Sequence, residues 1–137
     1  MQNLGSRNNI TYYNDSKATN ASSAAGSLAS MQNIFWLAGG IFKEESLDPL
    51  EKSLSNVKKA YLFGESSLLF SKYLKNKIDF EVFGTMQEAF SKANREAKKA
   101  KEQAYVILAP ACASFDQFKN FEDRGNQFID LCNEELQ

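Results

Sequence analysis

Five times along the chain an apolar run of strand length gives way to a longer segment with helical spacing, and few folds accommodate that alternation. The runs at 10–13, 34–38, 60–63, 78–83 and 105–109 predict strands, and the segments at 18–31, 46–57, 65–75, 86–101 and 120–136 predict the helices that follow them. Successive strand–helix units build a mostly parallel sheet with helices on both faces. The expected fold is therefore a three-layer, Rossmann-like α/β domain with five to six strands.

Several local signals refine this reading. Residues 105–109 form a continuous apolar run closed by Pro110, which suits a central strand buried on both faces. Residues 78–83 alternate, with Ile78, Phe80 and Val82 opposed to Asp79 and Glu81, as an edge strand should. Residues 1–4 could pair back on 10–13 through the polar turn 5–9 and add one antiparallel strand. Asn14, Asp15 and Ser16 stand where a cap for the first helix is expected. Ser46 does so for the second, which carries Leu47, Leu50, Leu54 and Val57 on one face and Pro49 in its first turn. The helix over 86–101 puts Met86, Ala89, Phe90, Ala93, Ala97 and Ala100 on one stripe. Its lysines and Arg95 then face water, and no aromatic platform interleaves them to make a nucleic-acid surface. No repeat or interdomain linker interrupts residues 1–137, so one domain is expected.

Composition narrows the chemistry. Sixteen basic residues against seventeen acidic ones leave a net charge of −1, which gives no general attraction to nucleic acid or to an anionic membrane. No stretch reaches the ~20 apolar residues of a spanning helix, and no signal peptide is visible, so a cytoplasmic protein without membrane insertion is expected. The chain has no histidine. That removes Ser-His-Asp catalysis, imidazole base chemistry and most catalytic zinc sites. Cys112 and Cys132, the only cysteines, suit small core-side positions rather than a disulfide or metal framework. Neither a P-loop nor a G-x-G-x-x-G fingerprint is present, and no metal ligand set is expected.

In an open parallel sheet, ligands bind beyond the carboxyl ends of the strands, where each loop enters a helix N-terminus. Three polar clusters fall at such ends. The first is Asn-Asp-Ser-Lys-Ala-Thr-Asn at 14–20, where Lys17 and Thr19 add a charge and a hydroxyl to the free N–H groups of a helix start. The second is Gly-Gly-Ile-Phe-Lys at 39–43, with glycines for close backbone approach and Lys43 for an anion. The third, Pro-Ala-Cys-Ala-Ser-Phe-Asp at 110–116, leads through Phe121 into a helix containing Gly125, a residue that costs about 1 kcal/mol there unless close packing or a ligand compensates. Two lysines, a threonine and Ser114 on one rim would suit a small molecule with two carboxylates.

Taken in order, N-D-S-K-A-T-N, G-G-x-x-K and P-A-C-A-S-F-D-Q-F-K-N-F-E-D-R-G resemble one family over essentially the whole chain. The chain is similar to the C-terminal domain of the MurD-type Mur ligases of peptidoglycan synthesis, the UDP-N-acetylmuramoyl-L-alanine:D-glutamate ligases. That resemblance implies an ATP-dependent, three-domain, monomeric enzyme in which ATP and magnesium are held mainly by a central domain and the UDP-sugar by an N-terminal one. It further implies that Lys43 and Thr19 bind one carboxylate of D-glutamate, while Ser114 and the backbone near Phe121 bind the other. By the same likeness Phe115 lines the pocket, Lys17 lies near the transferred phosphate as the catalytic lysine, and Asp15 meets the ATP ribose. This fragment alone is expected to have no ligase activity. Two positions depart from the pattern: Ala109 stands where serine is frequent, and Glu44 follows Lys43 where glycine is usual. Two other readings remain open, a stand-alone α/β module that senses a dicarboxylic amino acid and an unrelated nucleotide-binding α/β protein.

Overall fold

A computed structural model describes residues 1–137. Six strands form one sheet: β1 (Gln2–Arg7), β2 (Ile10–Asn14), β3 (Ile34–Gly39), β4 (Val57–Phe63), β5 (Asp79–Val82) and β6 (Ala104–Leu108). Their spatial order is β1-β2-β6-β3-β4-β5, and every neighbouring pair is parallel except β1 with β2. Four α-helices, α1 (Ala21–Leu28), α2 (Ser67–Leu74), α3 (Met86–Lys98) and α4 (Phe121–Leu136), and a 3-10 segment (Asp48–Asn56) cover its faces. The doubly wound α/β class, with a mostly parallel sheet and one antiparallel strand, is the one the sequence implies.

The period-2 pleat divides each central strand between two cores. Ile34, Trp36 and Ala38 of β3, Ala60 and Leu62 of β4, and Ile107 of β6 meet Ala21, Ala24 and Leu28 of α1, Leu50 and Leu54 of the 3-10 segment, and Phe70 and Leu74 of α2. Phe35, Leu37, Tyr61, Phe63, Val106 and Leu108 point the other way, onto Phe90 and Ala93 of α3 and Phe128 and Cys132 of α4. Both cysteines are buried, Cys112 in the first core and Cys132 in the second. Trp36 satisfies its ring N–H inside the first core by donating to the Ala109 carbonyl at 2.7 Å.

Some boundaries differ from expectation for local reasons. β1 runs to Arg7 and turns at Asn8, whose φ of 57° is left-handed, while Gly5 sits at a register shift within the strand. The helix after β3 is 3-10 rather than α, with Leu47 at its N-cap and the Ser46 hydroxyl accepting the Asp48 N–H at 3.0 Å. Val57 belongs to β4, not to that segment. The first helix starts at Ala21 instead of 18, because residues 14–18 fold into tight turns: Asn14 accepts from the Ser16 N–H at 3.1 Å, and the Asp15 carbonyl accepts from the Ala18 N–H at 2.8 Å. Its cap is Asn20, whose side chain accepts the Ser23 N–H at 2.8 Å. Asn20→Ala should therefore lower the free energy of unfolding by about 1 kcal/mol, read from the urea midpoint at unchanged slope. No helix is long and apolar enough to cross a membrane.

Candidate functional site

The strand order reverses around β6. Its loop leads to α4 on one face, whereas the loops from its neighbours β2 and β3 lead to α1 and the 3-10 segment on the other. Such a switch opens a crevice at the carboxyl edge. The three clusters singled out in the sequence are the loops that surround it.

Backbone hydrogen bonds lace these loops together. The Asp15 N–H donates to Leu108 at 2.8 Å and the Ala111 N–H to Ala18 at 2.9 Å, joining the first loop to the third. Ile41 and Ala113 exchange N–H donors at 2.9 Å in both directions, joining the second to the third. The glycine pair makes this possible. Gly39 and Gly40 have φ of 150° and 130°, and a Cβ on either would lie 1.7 Å from the Phe63 oxygen or 2.2 Å from the Ala113 oxygen.

Arg124 is the deepest fastener. Fully buried on α4, it donates through Nε to Ser16 Oγ at 2.8 Å, through Nη2 to the Ser16 carbonyl at 2.7 Å and through Nη1 to the Cys112 carbonyl at 3.0 Å. Ser16 Oγ in turn donates to the Phe121 carbonyl at 2.7 Å. No carboxylate pairs with the guanidinium. Burial pulls its pKa down to about 10, so it still carries a positive charge at neutral pH beneath the first and third loops. Gly125 beside it lets α4 close on the first loop, since a Cβ there would stand 3.2 Å from Asn14 Nδ2 and Ser16 Cβ. Close packing thus compensates the mid-helix glycine.

Asp116 ties the third loop to the start of α2, its carboxylate accepting the Glu65 N–H at 2.9 Å. Cys112 lies in the same knot, 3.4 Å from the Ser66 hydroxyl. Burial pushes its thiol up to about 12, which leaves it a neutral packing group.

The seven candidate residues sort into two adjoining patches. Asp15, Lys17 and Phe121 line a cleft of about 490 Å³ between the first loop and α4. One Asp15 oxygen accepts from the Ser27 hydroxyl and the other lies 4.0 Å from the Met1 amino group. The Phe121 N–H is at the first position of α4, among those a helix leaves without an internal partner. Thr19, Lys43, Ser114 and Phe115 lie outside that cleft, on the rim formed by the three laced loops, the first two and Phe115 exposed and Ser114 buried. The Lys43 ammonium is 6.0 Å from the centroid of the Phe115 ring, and that ring is 63 % exposed. The molecule's ion pairs use the amino terminus, Lys59, Lys77 and Lys98, and leave Lys17 and Lys43 unpaired. Ser114 is buried, and its hydroxyl makes no hydrogen bond within the protein. Every fully enclosed polar side-chain atom has a partner, so this hydroxyl must keep a window to solvent. A separate cleft of about 540 Å³ between the start of α3 and α4 is lined by no cation and includes the carboxylate of Asp130.

The structure changes one expectation about the first loop. The N-terminus of α1 is not free, because the Glu44 carboxylate from the second loop accepts the Ala21 N–H at 2.6 Å. Sequence spacing assigns no role to Arg124, or to Asp116 within the third cluster. For Arg124 a signal existed: residues 124, 128 and 132 share the buried stripe of α4, and an arginine there must find partners.

Fold and loops together define a doubly wound α/β domain that places Lys17 and Lys43, neither in an ion pair, and the Thr19 and Ser114 hydroxyls on loops at the carboxyl edge of its sheet. No family model matches the chain. Individual relatives do. The chain is homologous, over nearly its whole length, to part of the UDP-N-acetylmuramoylalanine–D-glutamate ligases. It is 47 % identical over 133 residues to the ligase of Rickettsia conorii, covering 96 % of this chain. It is also 47 % identical over 132 residues to that of Rickettsia felis, and 45 % identical over 130 residues to that of Agrobacterium fabrum. The chain spans 27–29 % of the length of these three relatives.

Proposed function

We propose that residues 1–137 are the D-glutamate-binding, C-terminal domain of an ATP-dependent ligase that joins D-glutamate to UDP-N-acetylmuramoyl-L-alanine through an acyl phosphate. One observation carries this reading: two unpaired lysines and two partnerless hydroxyls stand on loops that backbone hydrogen bonds fix to one another at the switch point of the sheet.

Lys43 and Thr19 hold one carboxylate of D-glutamate. Ser114 and the Phe121 N–H hold the other. Each charge-assisted bond contributes about 1.5–3 kcal/mol, and holding both carboxylates fixes the amine for attack on the acyl carbon. As the amide bond forms, phosphate leaves and the amine sheds a proton. Lys17 lines the cleft, and its ammonium would offset negative charge that develops at the acyl phosphate. The Arg124 charge beneath the loops adds a positive potential at the same edge.

ATP supplies the phosphoryl group that activates the L-alanine carboxylate, and the Asp15 oxygen turned away from Ser27 would accept a ribose hydroxyl. Magnesium does not fit this chain, which gathers no three His, Cys, Asp or Glu side chains around one point. It belongs with the rest of the enzyme. The open rim and the exposed Phe115 ring accord with a site completed by other domains, and for that reason the fragment alone is inactive.

The test is turnover by the full-length protein. Release of phosphate that requires UDP-N-acetylmuramoyl-L-alanine, D-glutamate and ATP together is expected, with none from the 137-residue chain and only millimolar D-glutamate binding by it. Tighter binding of ATP than of any amino acid by this chain, or turnover indifferent to D-glutamate, would contradict the proposal.

A further inference from the structure

Helix α1 has no acidic residue in its first turn, although the positive end of a helix favours one there. The chain supplies that charge from elsewhere. Glu44, immediately after Lys43, reaches across to α1 and accepts the Ala21 N–H at 2.6 Å, while Asn20 takes the Ser23 N–H. Thr19 precedes this capped end by two residues. A single charge-assisted bond therefore couples the loop that carries Lys43 to the helix entry that carries Thr19, two elements 23 residues apart at the bond itself.

The geometry also says what Glu44 does not do. Its carboxylate forms no ion pair with Lys43 or Lys17. It binds the helix end and leaves both ammonium groups free. The other restraints on Lys43 act on one side only: Phe42 packs edge-on against Phe70 of α2 with centroids 6.0 Å apart, and Ile41 pairs with Ala113. Beyond Lys43 the chain is exposed through Ser46, and Glu44 is the tether found in that stretch.

We infer that Glu44 is a positioning residue, a strut that sets the spacing between Lys43 and Thr19 and so tunes the carboxylate-binding rim. This rests on the reading of the rim given above. A glycine at this position could not form the strut.

Glu44→Ala in the full-length enzyme should raise KM for D-glutamate roughly three- to tenfold, the worth of about one hydrogen bond, with kcat and KM for ATP close to wild type. Glu44→Gln keeps an acceptor for the Ala21 N–H and should recover most of the loss. A D-glutamate KM that stays unchanged or falls in Glu44→Ala would overturn the inference, a fall meaning that the carboxylate competes with substrate. Amide exchange at Ala21 in the 137-residue chain gives an independent reading. It should speed up in Glu44→Ala and much less in Glu44→Gln, and equal exchange in all three proteins would remove the strut. If the wild-type enzyme shows no D-glutamate-dependent turnover, the reading of the rim fails, and exchange at Ala21 alone decides the tether.

Discussion

In the assembled enzyme, Lys43→Ala is expected to raise KM for D-glutamate by roughly 10- to 150-fold, the equivalent of losing one charge-assisted bond of about 1.5–3 kcal/mol. The loss should be specific. Lys43 has no carboxylate partner inside the chain and sits exposed beside the Phe115 ring, so its removal breaks no internal ion pair and leaves the fold's stability within about 0.5 kcal/mol of wild type. KM for ATP should stay within about twofold, because the contacts proposed for ATP lie in the other patch, around Asp15 and Lys17. Equal rises in both KM values would argue against the role given to Lys43.

Arg124→Ala should have the largest effect on stability. The guanidinium is fully buried and serves three acceptors on two separate loops, so truncation strands the Ser16 and Cys112 carbonyls and opens a void. Each orphaned group costs about 1–3 kcal/mol, and the total should reach about 3–5 kcal/mol. That is a large part of the ~5–15 kcal/mol that holds a domain together. Urea unfolding of the 137-residue chain measures it. Arg124→Lys keeps the charge but cannot present three donors in a fork, and it should fall between the two. A loss below about 1 kcal/mol for the alanine variant would mean that the loops are held together by other means.

What could be read before the structure, and what could not, follows from how far apart the interacting residues lie in sequence. β3 and β6 were plain because both faces of a central parallel strand are buried, so apolar residues run without a break in Phe35-Trp36-Leu37 and Val106-Ile107-Leu108. β5 was plain for the opposite reason, its alternation marking an edge. The 3-10 segment reads as α in sequence because Leu47, Leu50 and Leu54 follow the three-then-four spacing of an α-helix, which the tighter winding does not share. The spacing starts the first helix at 18, three residues before Ala21, because turns built by Asn14 and Asp15 look in sequence like caps.

The same rule governs the site. Strand ends locate the clusters, so Lys17, Lys43 and Ser114 could be assigned to one edge from their positions alone. The clasps between loops could not be foreseen: Glu44 to Ala21, Asp116 to Glu65 and Arg124 to Ser16 each join residues 23, 51 or 108 positions apart. Local periodicity carries no record of such pairs. It can only flag a residue, such as Arg124, that stands on a buried stripe where its charge demands an answer.

A residue-by-residue titration of the 137-residue chain with D-glutamate, followed through its backbone amide resonances, bears most directly on the proposed contacts. Shifts concentrated at Thr19, Lys43, Ser114 and Phe121, saturating in the millimolar range and weaker with L-glutamate, are the predicted result. Shifts confined to the cleft between α3 and α4, or none at those four amides while the chain remains folded, would show that D-glutamate is not held by these loops.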